Sequence, residues 1–171
     1  MLKEQIDFIK SAAEKNFLNS GSLMPVFISD FNNQFSIMPL FWANPEDKEE
    51  FAHHLRHWIA NGKITEYIMV AESWVVKSTG TDKDPSIVSE VSEWMKKNGS
   101  LENHPLRTEA IVIQYCSARE EVDYHAEIHR SEDGVKLLDW NKNTRKGMNA
   151  SPFNMPSRFS NIFARSSAAL N

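Results

Sequence analysis

Apolar residues recur at the spacing of an α-helix twice within the first sixty residues. One stripe, with steps of three or four positions, runs through residues 2–18 and consists of Leu2, Ile6, Ile9, Ala13 and Phe17. This stripe predicts an amphipathic helix. A second helix is predicted to begin at Asn44-Pro45, because an asparagine cap, a proline and two following acids are typical of a helix start. We expect it to end at Asn61-Gly62, with Phe51, Leu55, Trp58 and Ile59 turned inward.

Alternating apolar residues predict strands between and after these helices. Residues 23–29 and 34–40 form two short runs, and Asn32-Asn33 between them suits a tight turn because asparagine tolerates positive φ. Residues 64–77 are apolar on both faces, which is typical of a central strand that is covered on at least part of both sides. Residues 85–97 have the spacing of a short helix that ends at Asn98-Gly99.

The segment that follows predicts a meander of three antiparallel strands. If residues 106–117 and 122–130 pair around a turn at 118–121, one face of the pair is entirely apolar. The expected partners are Tyr115 with Tyr124, Ile113 with Ala126, and Ile111 with Ile128. A turn at residues 132–134 then predicts two further neighbours on that face, Leu138 beside Ile128 and Trp140 beside Ala126.

The element order is therefore α-β-β-α-β-(α)-β-β-β. It predicts an α+β fold in which an antiparallel β-meander carries its helices on one face. Residues 1–140 are predicted to form this single domain. Residues 141–171 are predicted to form a basic tail rich in Asn and Ser, with a possible short helix over residues 157–170.

Charge is distributed unevenly along the 171 residues. All 23 acidic residues lie at or before Asp139, whereas residues 141–171 contain five basic residues and no acid. The formal charge is therefore −9 for the predicted domain and +5 for the tail. This asymmetry indicates a tail that binds its own acidic domain, or an anionic or acidic partner. The residues predicted to contact such a partner are Arg158, Phe159, Phe163 and Arg165.

Cysteine content and hydropathy favour a cytoplasmic protein that does not cross a membrane. Cys116 is the single cysteine, so no disulfide forms within the chain. The first residues are amphipathic and acidic, unlike a signal peptide. No apolar run approaches the roughly 20 residues that span a bilayer.

The polar face of the predicted meander is a candidate metal site. His125, Glu127 and His129 alternate along one strand, and the expected register sets Asp139 opposite Glu127. Two imidazoles and two carboxylates suit Zn²⁺ or Mn²⁺, and would make the protein a metal-dependent hydrolase. The alternative is an ordinary solvated sheet face, which also alternates acids and histidines.

Two glutamates interrupt the apolar face of the long central strand. A carboxylate at Glu66 or Glu72 has to be ion-paired, hydrogen-bonded or raised in pKa. The next strand along the chain offers Arg107 and Glu109 as partners or rivals. Since perturbed carboxylates concentrate at functional sites, Glu72, Arg107 and Glu109 are candidate catalytic residues. A structural ion pair accounts for the same pattern.

Short motifs on these two strands resemble a group of small uncharacterised proteins of bacteria and tailed phages. In that group an E-x-W strand is followed by a P-x-R-x-E strand, and the matching residues are Glu72, Trp74, Pro105, Arg107 and Glu109. The resemblance covers residues 20–130. It implies a single domain and an origin in a phage or mobile element, and it implies no catalytic activity.

Together these patterns predict a non-enzymatic protein that binds a protein or a small ligand and needs no cofactor. The expected contact surface is the tail or the polar face of the meander, and the tail is expected to bind a protein partner or to self-associate. The metal-dependent hydrolase is the first alternative. Nucleic-acid binding through the basic tail is the second, disfavoured because the acidic domain repels phosphates.

Overall fold

The computed structural model describes residues 1–76, 85–99 and 101–145 as three helices and seven strands. A 3₁₀ turn, Leu2–Gln5, leads directly into the first helix. The helices are α1 (Ile6–Ser20), α2 (Pro45–Ala60) and α3 (Pro85–Asn98). The strands are β1 (Val26–Ser29), β2 (Ser36–Pro39), β3 (Glu66–Val76), β4 (Arg107–Ser117), β5 (Glu121–Ser131), β6 (Gly134–Leu137) and β7 (Asn141–Arg145).

The strands form one antiparallel sheet in the order β2-β1-β3-β4-β5-β6, and β7 pairs with the first half of β5. The α+β class and the antiparallel meander are confirmed. The predicted hairpin between β1 and β2 is also present. Its turn contains Asn32 and Asn33, both at positive φ, which is the property that made this dipeptide a turn signal. Within the described residues, no helix has the length and apolar character needed to span a membrane.

The first helix packs on one face of the sheet through the stripe predicted for it. Leu2, Ile6, Ile9, Ala13 and Phe17 are all buried. They contact even-numbered residues of β3 and β5 and odd-numbered residues of β4, among them Ile68, Val70, Ile111, Ile113 and Tyr124. Gly21 ends the helix in the left-handed conformation, with its N–H bonded to the Phe17 carbonyl.

The second helix packs on the opposite face, so the prediction that the helices share one face is wrong. Leu55 of α2 is buried against Phe27, Tyr67 and Cys116, which alternate with the residues that face α1. The reason lies in β3, which is apolar on both sides and needs cover on both. The third helix packs against Trp74 and Val76, which continue the α1 face toward the far end of β3.

Pairing between β4 and β5 differs from the predicted register by two residues. Tyr115 pairs with Val122, Ile113 with Tyr124, and Ile111 with Ala126. The connection is a tighter turn than predicted, since the N–H of Ser117 bonds the Glu120 carbonyl at 2.9 Å. The Ser117 hydroxyl accepts from the N–H groups of Arg119 and Glu120, both at 3.3 Å, and so stabilises the short turn. A shift of two residues leaves every side chain on its predicted face.

Pairing between β5 and β6 differs by one residue, and this shift reverses the faces. Leu137, not Leu138, lies opposite Ile128 and packs on the α1 face, while Leu138 is exposed. The chain changes register after Leu137, so that Asn141 pairs with His125 at the start of β7. Residues 141–145 thus belong to the sheet, five residues beyond the predicted domain boundary at residue 140.

Candidate functional site

The structure brings Glu72 and Glu109 together around an arginine that sequence reasoning missed. Glu109 accepts from Nε and Nη2 of Arg130 at 2.9 and 2.8 Å. Glu72 lies 4.0 Å from Nη2 of the same guanidinium, and its carboxylate also accepts a hydrogen bond from the N–H of Leu23. Arg130 further donates to the carbonyl of Gly21, at the end of α1. The strands β3, β4 and β5 and the turn after α1 therefore meet at the side chain of Arg130.

This geometry is that of an anchoring ion pair. The hydrogen bond from Arg130 holds the pKa of the Glu109 carboxyl below its ordinary value, so Glu109 stays ionised at neutral pH. Its two oxygens are already used by a two-pronged contact of the kind that arginine makes with carboxylates. The catalytic role assigned to Glu72 and Glu109 from sequence stays a prediction.

Arg107, the third predicted catalytic residue, lies elsewhere. Its guanidinium is 5.1 Å from the ring centre of Trp74, and its Nη1 donates to the carbonyl of His104 at 3.4 Å. In the described part of the chain the cation beside Glu72 and Glu109 is Arg130. One signal in the sequence marks Arg130. It continues the even-numbered stripe of Val122, Tyr124, Ala126 and Ile128, a place where a charge needs a partner.

Glu66 has a structural partner at each oxygen. One accepts from the N–H of Leu2 at 2.7 Å, and the other accepts from the hydroxyl of Tyr115 at 3.0 Å. Burial of the phenol is the main reason that the pKa of Tyr115 rises to about 12. Glu66 therefore fixes the start of the N-terminal helical segment on the sheet, as Arg130 fixes its end.

The predicted metal residues of β5 lie on the face that α2 partly covers. His125, Glu127 and His129 alternate along the strand as expected, with Glu127 buried, His125 half-buried and His129 exposed. Asp139 is exposed and lies in the connection between β6 and β7. In residues 1–76, 85–99 and 101–145, no three His, Cys, Asp or Glu side chains are grouped so as to hold a metal ion. The zinc or manganese site stays a prediction.

The residues predicted to contact a partner from the tail, Arg158, Phe159, Phe163 and Arg165, lie outside the described residues. The predicted helix over residues 157–170 does so as well. What the structure does describe is a surface at the other edge of the sheet, on the two short strands that the sequence predicted over residues 23–29 and 34–40.

Four large apolar side chains are more than half exposed along the β1–β2 edge. Phe35 is 62% exposed, Ile37 59%, Phe41 73% and Met24 54%. We call these four residues the apolar edge surface. Ile37 pairs with Ile28, which is buried among the residues that contact α1. Residues paired across strands share a face, so the alternation puts this surface on the α1 face, beside the region that α1 covers.

Helix α1 leaves this part of the sheet open because it leans toward the opposite edge. Lys10 lies 4.2 Å from the ring centre of Tyr124 on β5, and Glu14 accepts a hydrogen bond from the indole of Trp140. The other side of β2 is covered, since Met38 and Trp42 pack with Leu55 of α2. The β1–β2 hairpin is thus anchored on its α2 side, and the helices that the structure describes do not cover its α1 side.

The backbone of β2 is poorly suited to accept another strand. The N–H of Leu40 bonds the carbonyl of Pro25 at 2.8 Å, so Leu40 directs its backbone groups toward β1. In an antiparallel ladder, the backbone N–H and C=O groups of successive residues point alternately toward the paired strand and away from it. The backbone groups of Pro39 therefore point outward, away from β1. Proline has no N–H to donate, and β2 spans only Ser36–Pro39. Both features protect a sheet edge from strand addition, so a partner would contact side chains.

Comparisons of the chain with protein-family models, with curated proteins and with solved structures gave no match.

Proposed function

We propose that this protein works by binding another protein through the apolar edge surface. The observation that carries the proposal is the exposure of Met24, Phe35, Ile37 and Phe41 along the β1–β2 edge, on a face whose neighbouring part is buried beneath α1. Single exposed hydrophobic residues are ordinary, but a contiguous apolar group on a folded domain marks an interaction site. Aromatic residues also dominate the energetics of protein interfaces.

The surface is held in place independently of any partner. Phe27 packs edge-on against Phe51 of α2 at 5.2 Å between ring centres, and Phe31 packs likewise against Trp58 at 5.6 Å. Asp30, beyond the end of β1, accepts from the N–H of Thr65 at 2.9 Å and ties the hairpin to the start of β3. A partner therefore meets a preformed surface, which lowers the entropic cost of binding.

Substitution within the surface tests the proposal. A Phe35→Ser/Ile37→Ser variant should fold normally, since both side chains are more than half exposed and such changes usually alter stability by less than about 0.5 kcal/mol each. The amount of any protein that co-purifies with the wild-type chain from its own cells should fall by about tenfold or more with this variant. Thermal unfolding of the same samples checks that the fold is retained.

Leu106→Ser is the matched control. Leu106 is 52% exposed, close to the 59% of Ile37, but it precedes β4 beside the far end of β3. Six residues of β3 separate that end from the part that pairs with β1, or roughly 20 Å. A co-purifying protein retained by Leu106→Ser and lost by Phe35→Ser/Ile37→Ser is the expected result. Equal retention by both variants would refute the proposal.

A further inference from the structure

We infer that the chain's own C-terminal segment, residues 157–170, binds the apolar edge surface and competes there with the external partner. The inference rests on the proposed function because it uses the same surface. Three observations carry it: the apolar pattern of the segment, the length of chain that leads to it, and the opposite charges of the two parts.

The segment has the composition of a surface-binding helix. Its apolar residues Phe159, Ile162, Phe163 and Leu170 are spaced by three, one and seven positions, which sets them along one side of a helix. Arg158 precedes Phe159, and Arg165 lies between Phe163 and Leu170. An amphipathic helix in an apolar groove is a recurrent mode of recognition, anchored by side chains at such spacings. Since Pro39 opposes strand addition at the edge of β2, contact through side chains is the mode that the surface favours.

The chain is long enough for the segment to reach the surface. The described residues end at Arg145 in β7, and five strand-to-strand steps separate β7 from β2 by way of β5, β4, β3 and β1. At about 4.8 Å a step this is roughly 24 Å. The 12 residues 146–157 can span up to roughly 40 Å when extended. Intramolecular contact therefore needs no rearrangement of the sheet.

Charge favours the same contact. Residues 1–145 contain 16 basic and 23 acidic residues, a formal charge of −7, whereas residues 146–171 contain three basic residues and no acid. The attraction raises the concentration of the segment near the domain, and the tether raises it further to the millimolar range typical of short linkers. Contact within one chain is thereby favoured over contact between copies at low protein concentration.

Cross-linking in the full-length chain tests the inference. Cysteines are placed by Ile37→Cys and Phe163→Cys, and Cys116 is left in place because it is buried. Under mild oxidation of dilute protein, the pair should form a disulfide within the monomer about tenfold faster than a Leu106→Cys/Phe163→Cys control. In a chain with Ile37→Cys alone, adding Phe159→Ser/Phe163→Ser should raise the rate of thiol labelling at position 37 severalfold.

Three outcomes would overturn the inference. Equal rates for the two cysteine pairs would show that the segment has no preference for the surface. Disulfide-linked dimers in place of linked monomers would assign the surface to a second copy. Labelling at position 37 that ignores Phe159→Ser/Phe163→Ser would show that the segment does not cover it. If any of these occurs while Phe35→Ser/Ile37→Ser still abolishes co-purification, the proposed function stands and this inference alone fails.

Discussion

The guanidinium of Arg130 on β5 links that strand to β3, to β4, to α1 and to the turn after α1. Arg130 holds both oxygens of Glu109, donates to the carbonyl of Gly21 and lies 5.5 Å from the ring centre of the buried Phe17. Glu72 completes the group at 4.0 Å. Without the cation, two carboxylates that are each about three-quarters buried would face one another with their charges uncompensated.

Replacing Arg130 by Gln should therefore lower the free energy of unfolding by roughly 1–2 kcal/mol at pH 7, discounted for the partial exposure of the site. The pKa of Glu109 is lowered in the folded state, so its contribution is present above its unfolded pKa and is lost as pH falls through its folded pKa. The difference in unfolding free energy between wild type and Arg130→Gln should therefore shrink at an acidic pH well below 4.5, the ordinary pKa of a glutamate.

Urea unfolding at both pH values measures this difference. Arg119→Gln, at an exposed arginine in the β4–β5 turn, is the control and should be neutral. If Arg130→Gln is no more destabilising than Arg119→Gln at pH 7, Arg130 does not anchor α1 to the sheet.

The sequence predicted that Glu72 and Glu109 would be neighbours, because they lie on consecutive strands. It did not predict their cation. Arg107 was predicted because it lies on the strand that follows the one with Glu72, whereas Arg130 reaches Glu109 only through the register of β4 with β5. A contact of this kind depends on the three-dimensional pairing, which local patterns leave open.

Helices and strands were predicted well because their signals are local. The stripe of α1, the asparagine cap of α2 and the asparagine turn between β1 and β2 all depend on residues close in the chain. Registers were wrong where a turn decided them. The hydroxyl of Ser117 stabilises a shorter β4–β5 turn, and the chain enters β6 one residue earlier than expected. Only the second error reversed the two faces of a strand.

The start of α2 offers a test at the scale of one element. The side chain of Asn44 accepts from the N–H of Asp47 at 2.9 Å, and Asp47 accepts from the N–H of Asn44 at 3.2 Å. Asn44→Ala removes one half of this reciprocal cap and should cost about 1 kcal/mol, seen as a lower urea midpoint. Asn16→Ala, at an exposed position inside α1, should not destabilise the protein. Equal effects of the two substitutions would contradict the capping role.

In the fold as a whole, the described helices pack on both faces of the sheet but do not cover the α1 side of the β1–β2 edge. The sequence indicated that β3 needed cover on both sides, yet it could not say which helix would supply it, because an apolar stripe fits either face. Nor could it distinguish the edge strand β2 from an internal strand, since the alternation of apolar residues is the same in both. The exposure of Phe35 and Ile37 is therefore known only from the assembled fold.

We propose that the apolar edge surface binds a protein partner. This proposal can be tested in the cells that produce the protein, with a photoreactive amino acid at position 37 of the full-length chain and the same group at position 106 for comparison. We predict a discrete cross-linked species, heavier than the chain, from position 37 and none from position 106. Cross-links of equal yield from both positions, or none from position 37, would contradict the claim.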